Sequence, residues 1–260
     1  MRHHEETIAA YAAQVAAEPE VLALVVVGSV ARATERFTSD VDVYLVVTDE
    51  AYAAAQATGR VAYIDTDAAT YDSYVDIKLA SPRYLERAVA YADDPTRASF
   101  IEARTVFDQT GTVAPTVARI VTLPEQVWQR RVHAYRCQAR LYGGYFLKQA
   151  HERNDVFLLQ HSAVHLCLAV GRVALAVNRA LFQGQKYLSA TLPKLAELPD
   201  GFLAAWRNVL KDPTPERAAA LTDLVDAWQG GPLSLEDTLS TFIVDNELAW
   251  LNGSVPPEFW

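Results

Sequence analysis

The stretch from Val25 to Val47, VVVGSVARATERFTSDVDVYLVV, decides how this chain is read. An apolar, β-branched run ends at Gly28-Ser29. Asp40 and Asp42 follow, one residue apart, and open a second apolar run. Both runs read as buried strands. In a strand, residues i and i+2 point to one side, so Asp40 and Asp42 aim at one point while Val41 and Val43 face the core. Two unpaired carboxylates held that close repel each other, and one resists ionising unless a cation sits between them. The cation that suits carboxylate oxygen is a hard one, Mg²⁺ or Mn²⁺. Gly28 lets backbone approach a ligand closely. Ser29 begins a short helix whose free N–H groups suit phosphate. These parts together describe a metal-phosphate site.

A third acid completes the pattern. In YVDIKLAS, Asp76 and Lys78 alternate with Val75 and Ile77, so a half-buried strand beside the first two would carry Asp76 to the same metals. Two metals roughly 4 Å apart would activate an attacking oxygen and stabilise a leaving one. The plainer reading of Asp76 is a cross-strand pair with Lys78 or Arg60. Asp65 and Asp67, in YIDTDAAT, are rival acids but sit where a strand ends and read as loop residues.

Outward from this core, residues 1–123 alternate helix and strand signals. EETIAAYAAQVAAE and DEAYAAAQAT read as helices, VLALVVV, VDVYLVV, RVAYIDT and SYVDIKLA as strands. Ser81-Pro82 opens another helix, with serine as N-cap and proline in the first turn. From Pro124 the strand signals stop. Residues 125–152, 155–182, 187–197, 201–210, 215–228 and 234–251 carry helical periodicity, divided by Gly, Pro and Asp. The expected organisation is α+β: a mixed-sheet domain over 1–123, then an all-helical bundle over 124–260.

At Gly28-Ser29 and Asp40-Val41-Asp42-Val43, ten residues apart, the chain resembles the nucleotidyltransferase superfamily of DNA polymerase β-like fold. It is most similar to the minimal and antibiotic-modifying branches, which read Gly-Ser-x-Ala-Arg-Gly before Ser-Asp-x-Asp. Here Ala33 stands where glycine is usual. VDIKL is similar to the family's third-carboxylate strand. The resemblance implies transfer of a nucleoside monophosphate, by default AMP from ATP, to a hydroxyl, with release of pyrophosphate. Asp40, Asp42 and Asp76 would be catalytic and hold Mg²⁺ or Mn²⁺. Gly28, Ser29, Arg32 and Ser39 would line the nucleotide site. Asp76 and Glu102 are both candidates for the base. In the helical part, NRALFQGQKYLSATLPKL resembles an Asn-Arg…Lys-aromatic-Leu pattern of helical tails attached to such domains. It offers Lys186 to the triphosphate, with Asn178 and Arg179 nearby. The resemblance favours a small-molecule acceptor, such as an antibiotic of the aminoglycoside or lincosamide kind, bound by the helical domain. A protein-modifying enzyme of antitoxin type and a non-catalytic nucleotide-binding module are the alternatives.

Composition limits the partners. The formal net charge is -9, and residues 1–123 hold 18 Asp/Glu against 10 Lys/Arg. An acidic chain without a basic patch is a poor match for long nucleic acid, whose phosphates supply most of the affinity. This also disfavours RNA tailing. Two cysteines, Cys137 and Cys167, make no disulfide framework and fit a reducing cytoplasm. No secretory leader is read at the start, and no apolar run reaches the roughly 20 residues that span a bilayer. His161 and His165 lie four apart in HSAVH, a spacing that can bind zinc, yet no further ligand pair accompanies them and they read as core or cleft residues. The pair Gly143-Gly144 is out of place in a helix, where it points to close packing or a kink.

Overall fold

A computed structural model describes residues 1–260, which form two compact units, Met1–Thr122 and Leu123–Trp260. The first is built on a five-stranded mixed sheet of β1 (Val21–Val26), β2 (Val41–Val47), β3 (Ala62–Asp65), β4 (Val75–Ala80) and β5 (Arg104–Asp108). Their spatial order is β3-β4-β2-β1-β5. β2 runs parallel to β4 and antiparallel to β1. The accompanying helices are α1 (Arg2–Val15), α2 (Gly28–Ala31), α3 (Asp49–Ala57), α4 (Pro82–Tyr91), α5 (Asp94–Ser99) and α6 (Val113–Ile120). α4 starts as read, with Ser81 Oγ accepting the Tyr84 N–H and proline in the first turn.

The central strands are apolar at consecutive positions because both faces of the sheet are covered. On one face Ile8, Tyr11 and Val15 of α1 pack on Leu24, Val26, Val43, Leu45 and Ile77. On the other, Leu85, Phe100, Val117 and Ile120 pack on Val25, Tyr44 and Val46. The sequence placed one core, on the Val41/Val43 side. The structure has a second on the side of Asp40 and Asp42, and Tyr44 and Val46 continue that face into it. β5 is an added element that the sequence reading lacks. It is a short edge strand with an exposed start, so it has neither a continuous apolar run nor a clean alternation.

The second unit is all helical: α7 (Glu125–Arg140), α8 (Leu147–Arg153), α9 (Val156–Val177), α10 (Gln185–Thr191), α11 (Phe202–Lys211), α12 (Pro215–Trp228) and α13 (Leu235–Phe242). The expected helix over 187–197 is displaced and shorter. The chain turns at Gly184 (φ 101°) to begin α10, and Pro193 sits in a closing 3₁₀ turn. α9 corrects the reading of apolar lengths, since its 22 residues are long and apolar enough by composition to cross a membrane. Half of that window is buried within the protein, and α9 forms the centre of the unit's core. It carries a buried Arg172, whose Nη1 donates to the carbonyls of Pro257 and Glu258. Asp226, also buried, is gripped by Arg136 at 2.9 Å and by Arg140.

The paired glycines resolve into two roles. Leu141–Phe146 winds as a π-helix between α7 and α8. A Cβ on Gly143 would lie 3.1 Å from Thr222 Oγ1 and 3.2 Å from the Leu166 methyls, whereas one on Gly144 meets nothing within 4 Å. Gly144 borders a cleft of about 730 Å³, together with Tyr145, Lys148, Thr222, Leu235 and Leu239. Gly143→Ala is therefore expected to lower the melting temperature, because Leu166 is fully buried and cannot yield. Gly144→Ala should raise it, by the ~0.5–1 kcal/mol that alanine gains over glycine in a helix. Thermal unfolding of the two variants checks the contrast, and a loss in both would contradict it.

Candidate active site

The site is a product of sheet register. β2 and β4 are parallel neighbours with Asp42 paired directly to Asp76, and Tyr44 to Lys78. Directly paired residues share a face, so Asp42, Asp76 and Lys78 lie together. Asp40 sits two residues before Asp42, ahead of β2. The face continues into the layer of α4, Phe100 and α6, which packs on Tyr44. Tyr44 stacks on Phe100 at 4.5 Å and closes the apolar side.

From the other side Gly28 closes on Asp42. The Val27 N–H donates to the Asp42 carbonyl at 2.9 Å, and Gly28, at φ 71°, begins α2. A Cβ at Gly28 would stand 2.1 Å from Asp42 Oδ2, which no side chain allows. Glycine is thus required twice, for its left-handed backbone and for the carboxylate against its Cα. Five residues on, Ala33 holds φ 53° where the resembled family has glycine. Alanine costs about 1 kcal/mol there, which the loop tolerates.

The electrostatics follow from this crowding. Burial, reinforced by Asp40 and Asp76, pushes the Asp42 carboxyl up to about 6, while Lys78 and Arg32 oppose the rise. Two further carboxylates and two cations thus act on Asp42 beside the start of α2. The Tyr74 phenol faces the same charges, and Asp40 foremost raises its pKa. Ser39, expected at the nucleotide, is engaged in the loop: its Oγ accepts the Arg36 N–H at 2.9 Å. Ser29 is half-buried in α2, and its carbonyl accepts the Thr34 N–H at 3.0 Å. Glu102 lies two residues before β5, with a left-handed φ of 56°. β1 separates β5 from β2 in the sheet. Asp65, read as a loop acid, is the last residue of β3, paired with Val75 rather than with Asp76, and its Oδ1 accepts the N–H groups of Asp67 and Ala68 at 3.0 Å as the chain leaves the strand.

In the helical unit, Lys186 is exposed in the first turn of α10, its Nζ 5.4 Å from the Tyr187 ring centre. Asn178 and Arg179 are occupied. The Asn178 amide donates to the Ala174 and Glu197 carbonyls, and Arg179 grips Glu125 through two nitrogens at 2.9 and 2.6 Å. They border a polar cleft of about 820 Å³ with Trp128, His133, Glu197 and Trp228. His165 Nδ1 meets Glu258 at 3.2 Å, and its ring lies 4.1 Å from that of His161.

The donor chemistry at Asp40, Asp42 and Asp76 fits a hard divalent cation. All are carboxylates, and burial, with Asp40 and Asp76 beside it, makes the charged form of Asp42 costly, a cost that a bound cation relieves. No three His, Cys, Asp or Glu side chains are gathered closely enough to enclose a metal by themselves. Mg²⁺ does not require this, being held by one or two carboxylates with phosphate oxygens and water completing its shell.

Comparison with known proteins agrees with the fold. A nucleotidyltransferase-like protein from Exiguobacterium sibiricum 255-15 superposes with a TM-score of 0.51, over 92% of this chain and 76% of its own, at 12% sequence identity. The chain thus shares the α+β fold of that nucleotidyltransferase-like protein. Residues 92–188 match a family model described as a domain of unknown function, DUF4037. No curated protein matches the sequence.

Alternation alone places Lys78 on the Asp76 face as a pairing partner. Its register opposite Tyr44 makes it part of the charge cluster. Tyr74 and His4 were not singled out. Period-two alternation was a signal for Lys78. Nothing local marks His4, which meets the site loop across 35 residues of chain.

Proposed function

We propose that the protein is a metal-dependent nucleotidyltransferase that moves a nucleoside monophosphate, by default AMP from ATP, to a hydroxyl of a small molecule. What supports this most is one observation: Asp42 lies against the left-handed Gly28 that starts α2 and is paired in register with Asp76. The acceptor oxygen attacks the α-phosphorus. A new oxygen–phosphorus bond forms, the α–β anhydride bond breaks, and pyrophosphate leaves with the electron pair. Asp40 and Asp42 hold Mg²⁺ or Mn²⁺, which when bound supplies neutralisation of phosphate charge and acidifies the acceptor. Asp76 orients the acceptor and takes its proton, since it is paired in register with Asp42. Gly28 and Ser29 present backbone N–H groups to the terminal phosphates, with Arg32 beside them. The acidic balance keeps long nucleic acid from the acceptor role.

Titration calorimetry with ATP, with and without Mg²⁺, tests the reading. Binding that requires the metal, followed by pyrophosphate release on addition of hydroxylated small molecules, is the expected result. If none of the four common nucleoside triphosphates binds with Mg²⁺ or Mn²⁺ present, the proposal fails.

A further inference from the structure

The carbonyl of Ser39, the residue that precedes Asp40, collects three donors. His4 Nε2 lies 3.1 Å from it and Ser73 Oγ 3.4 Å, and the Tyr71 hydroxyl also donates to it. A carbonyl can only accept, so His4 carries its proton on Nε2. His4 has no exposed surface, and its Nδ1 has no hydrogen-bond partner. A buried polar atom left bare costs free energy. Its neighbour His3 continues the arrangement, with Nε2 3.0 Å from the Phe37 carbonyl and its ring 4.6 Å from that of Phe37. The rings of His3 and His4 both pack edge-on against Tyr71. The first turn of α1 therefore holds the loop that delivers Asp40.

Such a hold has a physical purpose. Asp40 and Asp42 repel, and Asp40 precedes the strand whose ladder would otherwise fix it. Fixing the Ser39 carbonyl fixes the plane of the peptide that carries the Asp40 N–H, and so the direction in which its side chain leaves. The next amide, Val41 N–H, donates to the Tyr74 carbonyl at 3.2 Å and completes the brace.

We infer that His4 is a positioning residue for the carboxylate pair, its Nε2–H on the Ser39 carbonyl holding Asp40 in place for divalent metal before any nucleotide arrives. The metal half of this inference rests on the proposed function; the brace itself does not. Two variants separate donor from bulk. His4→Leu keeps the volume and removes the hydrogen bond. His4→Gln keeps an N–H donor at a similar reach.

Two measurements on the full chain decide it. Hydrogen exchange at the Val41 amide should be at least about tenfold faster in His4→Leu, near wild type in His4→Gln, and unchanged in α9 of both. Mn²⁺ titration followed by electron paramagnetic resonance should show at least about tenfold weaker binding in His4→Leu and within about threefold of wild type in His4→Gln. Unaltered Val41 exchange in His4→Leu, or equal losses in both variants, overturns the inference. If wild type takes up no Mn²⁺, the metal reading falls and with it the metal half of the inference, while Val41 exchange still decides whether His4 holds the loop. If His4→Leu fails to fold, Tyr71→Phe, which deletes only the second donor, must accelerate Val41 exchange for the brace to stand.

Discussion

Asp42→Asn is expected to abolish metal-dependent nucleotide binding and transfer while making the metal-free protein more stable at neutral pH. The two effects share a cause. Burial and the charges of Asp40 and Asp76 raise the Asp42 carboxyl from 3.8 to about 6 in the folded protein. A raised acid stabilises the fold fully below pH 3.8, where it is protonated in both states, relative to conditions where it must ionise. That contribution is lost as pH rises from about 4 through about 6. Above it, the folded state carries a crowded, partly desolvated charge. The shift corresponds to about 2 kcal/mol once reduced for partial exposure. Asparagine keeps the shape and discards the charge, so the gain should appear as a rise of several degrees in the melting temperature of the first unit at pH 7.5, vanishing near pH 4. Wild type in saturating Mg²⁺ and ATP should overtake the variant, because only it gains ligand stabilisation. Retention of transfer by Asp42→Asn would refute the catalytic role. An unchanged melting temperature at pH 7.5 would refute the electrostatic account.

Much of this site was legible in the sequence because its parts are local or periodic. Gly28-Ser29 and Asp40-x-Asp42 lie within one strand–turn–strand passage. Asp76 and Lys78 follow the two-residue rhythm of a strand, and the pairing of Asp42 with Asp76 needs only that β4 lie beside β2. What the sequence could not display depends on partners far along the chain. The second buried face of the sheet comes from α4, Phe100 and α6, which arrive after the carboxylates. β5 is held by its pairing to β1 and has no strong signal of its own. His4 reads as an ordinary polar residue of a helix start until folding brings the Ser39 carbonyl to its Nε2. Ser39 shows the converse. The resemblance offers it to the nucleotide, while in the fold its hydroxyl accepts the Arg36 N–H within the loop and its carbonyl is held from outside the loop by His4, Tyr71 and Ser73. In the helical unit, periodicity located the helices but not the clefts, since a cleft is defined by what several helices leave unfilled. Gly143 and Gly144 are adjacent and chemically identical, and only the facing helix tells which is packed and which is open.

Gly28→Ala should be the most damaging single methyl group in the first unit. Two costs combine. The φ of 71° disfavours any L side chain by about 1–2 kcal/mol. The new Cβ would also stand 2.1 Å from Asp42 Oδ2 and 2.8 Å from its Cγ, so the carboxylate must move by an ångström or more. Displacement of that size at a catalytic group costs about 10²-fold in rate, which is the expected loss in transfer. The expected loss of stability is roughly 3 kcal/mol, within the range for strain at a special backbone position joined to overpacking. A double-mutant cycle separates the two costs. In an Asp42→Ala background the carboxylate is gone and only the backbone penalty remains, so Gly28→Ala should cost about half as much there. The difference is the contact energy between the two positions. Equal costs in both backgrounds would mean that backbone conformation alone demands glycine. The meeting of Gly28 with Asp42 would then be a coincidence of packing, and Asp42 would no longer depend on the α2 turn for its place.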